Sequence, residues 1–251
     1  MSGVGYILFS VIQTSVRADD EAVDLGHLDR GARIAVLRSR MAALGAGEAV
    51  SEPQKSVIDP ELVLHVPAGM EGVLSAGGLV RQQAVAVSDC PALLVEMVCD
   101  VTARGGYAAI VGWPDLLLAQ VSESGDLDHV IVIPDPGPDP WSVVGVLVDG
   151  LDLVVYRAAR EANGGEVAVT PTQARPVLAK LRSGTAALVT VGAHLPGSAA
   201  VIDAQVEAFR GIGAGTGRIR GFDIVVQSRA KDGARHGVVT CGAQRPRLEA
   251  V

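Results

Sequence analysis

Ser88, Asp89, Cys90 and Pro91 stand between an apolar run and a helix-like run in the stretch AVAVSDCPALLVEM, residues 84–97. A turn from a buried strand into a helix is where α/β proteins cradle phosphates. The helix N-terminal N–H groups point at the anion, and glycines let the backbone wrap it. A lysine reaches the phosphate charge and a Ser/Thr hydroxyl holds magnesium. This turn has neither glycine nor lysine. Asp89 faces the place of a phosphate with like charge, and Pro91 removes one N–H donor. The turn therefore predicts loss of triphosphate chemistry, and no cofactor is expected.

The other reactive side chains form no constellation. Cys90 as a nucleophile needs a base and an electropositive setting, and no partner is visible near it. Cys90, Cys99 and Cys241 lack metal-site spacing, and their odd number argues against a secreted disulfide framework. His236 and Cys241 are a single candidate metal pair with no second pair beside it, so no metal is expected. Glu96 and Asp115 are better explained by a helix surface and a helix start. The expectation is a protein that is not an enzyme.

Charge points to binding instead. The chain carries a formal net charge of −7. From Arg210 to Val251, eight Lys/Arg face three acids, a surplus of five that leaves −12 on residues 1–209. The acidic body does not attract DNA by its field, whereas the basic end suits phosphate or an acidic partner. A solvated surface with a basic tail accounts for the same pattern. Arg210, Arg218, Arg220, Arg245 and Arg247 are the candidate contacts there, guanidinium groups being suited to bidentate bonds with carboxylate or phosphate. Trp113 and Trp141 are read as core-edge residues, with interface anchoring as the alternative.

Regular elements must position these residues. With 49% hydrophobic and 20% charged residues, the 251-residue chain has apolar material for one substantial core. Aromatics at 3% leave that core to Val, Leu, Ile and Ala, as in parallel sheets covered by helices. Strand-like runs fall at 84–87, 107–111, 129–133, 151–156 and 185–191, with helix-like runs between them. Glu96, Asp100 and Arg104 form one polar stripe on the run 92–104, which Gly105 and Gly106 end. Pro114 with Asp115 predicts the start of the next helix. Thr170 with Pro171 has the cap chemistry for another. After 198 the pattern changes to alternation, with Ile202, Ala204, Val206 and Ala208 inward, then Phe222, Ile224 and Val226, then HGVVTC at 236–241. The turns between these last strands are expected in GIGAGTGR and RAKDGAR. The fold class expected is α/β, a mainly parallel central sheet flanked by helices with an antiparallel extension at the C-terminal edge.

The order of these pieces resembles the ATPase core of RecA-type recombinases over roughly residues 70–230. GGLVRQQAVAV is similar to that family's GGLPxGxIVEI segment before the phosphate loop, and DLDHVIVIPDPG at 126–137 to its xDxDNLxxxQPDxG. The resemblance makes Ser88, Asp89, Cys90 and Pro91 a vestigial phosphate-loop position. It also shows two further departures. The strand LDLVVYR ends in Tyr156 and Arg157 instead of a magnesium-orienting acid. The strand 107–111 runs into Gly112, Trp113 and Pro114 where the family has a water-activating glutamate.

With RGGYAAIVGWPDLLLA (104–119), PDPGPDPWSVVGVLVDG (134–150) and GIGAGTGRIRG (211–221), the chain resembles the actinobacterial ImuA-prime family of RecA-like mutasome accessory proteins. That resemblance implies an adaptor in damage-induced translesion synthesis. It would bind an inactive Y-family polymerase relative, and through it the sliding clamp and an error-prone C-family polymerase. The alternative is a protein that binds DNA or modulates a recombinase filament through the basic C-terminal region.

Three segments are expected. Residues 1–60 hold an apolar extension, a helix and a linker, 61–230 the degenerate RecA-like core, and 231–251 the last strand and basic tail. Leu37 and Met41 lie on the apolar side of the helix-like run 28–44 and are candidate partner contacts. The apolar start, MSGVGYILFSVIQTSV, lacks a clear basic n-region and cleavage site and is short for a spanning helix. The expected location is cytoplasmic, nucleoid-associated when in complex, with no membrane contact.

Overall fold

Four runs rich in Val, Leu, Ile and Ala, with no polar alternation, become the inner strands of one sheet, because helices cover both of its faces. In the computed structural model, residues 59–159, 167–213 and 216–242 are described, all within the unit Ser56–Val251. The helix-like run 28–44 with Leu37 and Met41, and the tail with Arg245 and Arg247, lie outside the described residues.

The inner strands are β3 (Ala84–Val87), β4 (Ala108–Val111), β6 (Leu153–Arg157) and β8 (Ala187–Val191), with β5 (Val130–Ile133) outside them. Two short strands, β1 (Val63–Leu64) and β2 (Leu79–Val80), pair antiparallel before the core, and β7 (Val167–Ala168) pairs parallel with β9 (Ala193–His194). The long strands β10 (Ala200–Gly213), β11 (Thr216–Ala230) and β12 (Gly233–Gly242) complete an eight-stranded sheet of order β12-β11-β10-β3-β8-β6-β4-β5. From β10 to β5 the pairs are parallel, while β11 and β12 run antiparallel at the other edge. This is the expected class, a mainly parallel sheet with an antiparallel extension at its C-terminal edge.

The period of two in a strand divides the core between two faces. In β6, Leu153 and Val155 enter one cluster, and Val154 and Tyr156 enter the other. The first cluster is covered by α1 (Pro91–Ala103), whose Leu93, Leu94, Met97 and Val98 are at most 1% exposed. Burying each such side chain contributes about 1.5–3 kcal/mol. The second is covered by α3 (Pro140–Leu147) and α4 (Pro171–Ser183). The α4 start is as expected: Thr170 accepts from the Gln173 N–H at 3.4 Å, while Gln173 Oε1 accepts from the Thr170 N–H at 3.1 Å. β5, paired on one side only, leaves Ile131 and Val132 exposed.

Two expectations change. Pro114 and Asp115 do not open a helix; they form a turn, and α2 is the short Ala119–Ser124. The reason is that Asp115 gives its carboxylate to Arg157 instead of to helix N–H groups, while Trp113 is held in the core at 3% exposure. The glycine-rich turns are also shorter than expected. Gly211 sits inside β10 and Gly217 inside β11, both at positive φ, where the register shifts. A Cβ on Gly211 would lie 2.4 Å from the Arg218 carbonyl oxygen, so glycine lets the two backbones meet. In RAKDGAR only Lys231 and Asp232 turn. β12 pairs along the whole of β11's second half, from Ala230↔Gly233 to Gly221↔Gly242, so the last strand is continuous with the core sheet.

No helix among the described residues is long and apolar enough to cross a membrane.

Candidate functional site

At the C-terminal ends of the parallel strands, where open α/β sheets carry their ligands, the turn after β3 is stitched into the protein itself. The Ser88 N–H donates to the Ile202 carbonyl at 2.9 Å, extending the β3–β10 ladder by one residue. The Ser88 hydroxyl accepts from the Ala204 N–H at 2.8 Å and donates to the Ala204 carbonyl at 3.2 Å. Cys90 occupies the N-cap of α1 with no side-chain cap bond, and Pro91 takes the first helical position, where its missing N–H costs nothing. Ser88→Ala is expected to cost about 1–2 kcal/mol, because it leaves a half-buried backbone pair of β10 without its partner. Chemical denaturation against the parent chain measures it, and an unchanged midpoint would show that the hydroxyl bridge contributes nothing.

Asp89 faces a guanidinium group. Arg157 ends β6 and lies 3.0 Å from Asp89 through one nitrogen and 3.4 Å from Asp115 through the other. Its Cζ sits 4.8 Å from the Trp113 ring centroid, a cation–π contact. Gly112 makes this geometry possible. It takes φ +75° at the end of β4, and a Cβ there would stand 2.4 Å from the Arg157 carbonyl oxygen. Around the cluster lies an open cleft of about 580 Å³, walled by Pro91, Val95, Trp113, Leu117 and Phe222. Leu117 is 83% exposed. Two carboxylates and one guanidinium make the cleft locally acidic. That balance of charge favours cations and opposes a polyphosphate.

Cys90 is buried, and burial pushes its thiol above the ordinary value, with the Asp89 charge acting in the same direction. The nucleophilic thiolate is disfavoured there. His236 is exposed while Cys241 is buried; an odd spacing on one strand puts them on opposite faces. Among the described residues no group of three metal-ligating side chains converges.

The candidate arginines separate. The Arg210 guanidinium pairs with Asp223 and donates to the Cys241 carbonyl at 2.7 Å, while Thr240 donates to the same Asp223 at 3.0 Å. Arg210 therefore ties β10, β11 and β12 together and is not offered outward as a contact. Arg218 and Arg220 are exposed on the projecting end of the β10–β11 hairpin, near exposed Ile212, Ile219 and Phe209. Trp141 is partly buried, edge-on to Tyr156 at 4.7 Å, in a second cavity of about 570 Å³ between α3 and α4.

Sequence reasoning missed the Arg157 cluster as a unit. Asp89 and Asp115 are 68 and 42 positions from Arg157. The one available signal was that two strand ends expected to carry phosphate-site residues carry opposite charges instead.

The profile of the MT3502 N-terminal domain family matches residues 72–197. A curated relative, "Uncharacterized protein Rv3395c" of Mycobacterium tuberculosis, is 36% identical over 214 residues, covering 82% of this chain and 96% of its own. Among solved structures, the crystal structure of the RadB recombinase is similar, with a TM-score of 0.51 and 13% identity, covering 70% of this chain and 97% of that one.

Proposed function

The chain belongs to the MT3502 N-terminal domain family, and from that premise we propose that it is a non-catalytic RecA-like adaptor of a damage-induced mutasome. In this reading it binds an inactive Y-family polymerase relative, which docks on the sliding clamp, and thereby an error-prone C-family polymerase. It supports translesion synthesis without chemistry of its own. The carrying observation is the Arg157–Asp89 ion pair at 3.0 Å, with Ser88 bonded to β10, on the RecA-like fold. Side chains of the protein neutralise one another where a phosphate loop and its lysine would receive a nucleotide.

Titration calorimetry with ATP and magnesium is expected to show no binding. Micromolar binding that depends on residues 88–92 overturns the reading. Affinity purification from DNA-damaged cells, with identification of co-purifying proteins, is expected to recover polymerase relatives; their absence from damaged cells also overturns it.

A second reading, a modulator that contacts DNA, rests on one observation. Arg218 and Arg220 are exposed on the same hairpin end as Phe209 and Ile219, and single strands bind where basic groups and aromatic surfaces adjoin. It predicts salt-dependent binding to single-stranded DNA that is weakened by replacing both arginines with alanine.

A further inference from the structure

We infer that the cavity between α3 and α4 is a binding site for a compact aromatic carboxylate, a ligand that the adaptor reading neither needs nor supplies. The cavity holds about 570 Å³, a size that small-molecule sites commonly have. It shares no lining residue with the Arg157 cleft, which is walled from the other face of the sheet. Most of its wall is apolar. Trp141 stands edge-on to Tyr156 with ring centroids 4.7 Å apart, and Ala158, Pro176 and Val177 continue the lining. A flat ring can pack against such a wall in the edge-to-face or offset arrangements that aromatic groups prefer.

Two polar groups on this wall lack a partner in the protein. Tyr156 is only 5% exposed, yet its hydroxyl forms no hydrogen bond. Among the described residues, the sealed side-chain atoms without a partner are His129 Nδ1 and Thr190 Oγ1. The Tyr156 hydroxyl is therefore not sealed, and it opens onto the cavity that the residue lines. Burial raises its phenol above the ordinary value, so it stays a hydrogen-bond donor. The second group is the Lys180 ammonium, which forms no ion pair. Gly145 lets the lysine stem lie across α3, since a Cβ there would meet Lys180 Cδ at 3.3 Å and Nζ at 3.8 Å. Gly145 lines the cavity too, so the ammonium is held at its rim. The acid on the wall, Asp139, is already engaged as the N-cap of α3, accepting from the Ser142 N–H at 3.3 Å. One hydroxyl donor and one ammonium beside an aromatic wall suit a planar ring that carries a single carboxylate. A polyanion would bring more charge than one ammonium offsets, and Asp139 would repel it.

The test titrates naphthoate into the ¹⁵N-labelled full chain. Trp113 and Trp141 are its two tryptophans, so two indole N–H signals report on the binding, and Trp141→Phe assigns them. The Trp141 signal is expected to shift to saturation. The Trp113 signal, from a ring buried in the other core cluster, should stay in place. Lys180→Met keeps the exposed stem and removes the charge. It should weaken naphthoate roughly tenfold and leave the affinity for uncharged naphthylmethanol unchanged. Tyr156→Phe should weaken both compounds, and an unmoved Trp113 signal in each variant reports that the fold is kept. The inference is overturned if the Trp141 signal does not move or does not saturate. It is also overturned if Lys180→Met binds naphthoate as tightly as the parent, or if the parent binds the alcohol as tightly as the acid. None of these outcomes bears on ATP binding or on recovery of polymerase relatives, so this site and the adaptor reading stand or fall separately.

Discussion

Alanine at Gly112 is expected to lower the unfolding free energy by roughly 2–5 kcal/mol, from left-handed backbone strain together with overpacking. The residue has φ +75°, and its new methyl group would stand 2.4 Å from the Arg157 carbonyl oxygen, a backbone atom that cannot swing aside. Gly112 cannot retreat either, because its N–H donates to the Ile133 carbonyl at 2.9 Å. The strain falls where β4, β5 and β6 end together, so the Arg157–Asp89–Asp115 arrangement should loosen with it. Gly137→Ala is the control. That glycine also has positive φ, +72°, but a Cβ there meets nothing within 4 Å, so only the backbone strain, about 1–2 kcal/mol, remains. Urea unfolding of the two variants separates the effects. Equal losses would show that the close approach to β6 is not what the glycine provides.

Above pH 9 the fold is expected to lose stability as pH rises, by up to about 1 kcal/mol per pH unit for the thiol of Cys241, with Cys90 and Cys99 acting in the same direction. Cys90, Cys99 and Cys241 are 4%, 3% and 2% exposed. Burial is the main cause that raises all three, and at Cys241 the Glu96 carboxylate adds to it. A raised value in the fold means that the neutral thiol is the form the native state holds. Its contribution is complete below the ordinary thiol value, about 8.5. It is lost as pH rises from there toward the folded values, because the unfolded chain gains stability by ionising. Denaturant midpoints measured from pH 8 to pH 10.5 give the slope. Cys241→Ala should make that slope shallower, whatever it does to stability at neutral pH. A slope unchanged by that substitution would remove Cys241 from the account.

Much of the framework was legible locally. The inner strands could be read because four or five consecutive apolar residues between turn signals have few other uses in a chain so poor in aromatics. α4 could be read because Thr170 and Pro171 carry N-cap and first-position chemistry side by side, to which the structure adds Gln173 returning a bond to the Thr170 N–H. Trp113 is the instructive failure. Trp-Pro-Asp looks like a helix start on local chemistry, but the indole is drawn into the core and Asp115 is drawn to Arg157, so the helix begins late. Arg210 fails for a similar reason. Its sequence neighbours are glycines and an exposed strand, and only the three-strand register brings Asp223 and the Cys241 carbonyl to it.

The residue types after β3 decided alone that the turn lacks the glycines and the lysine of a phosphate cradle, and hydrophobic periodicity alone decided an α/β layer with an alternating C-terminal extension. Both are properties of neighbours along the chain, so no folding is needed to read them. The tertiary structure decided what replaced the cradle. The order β3-β8-β6-β4 carries the ends of distant strands to one rim, and there Arg157 meets Asp89 and Asp115. Such pairings depend on which segments converge after loops close, and opposite charges 68 and 42 residues apart exert no mutual force that the linear chain could display.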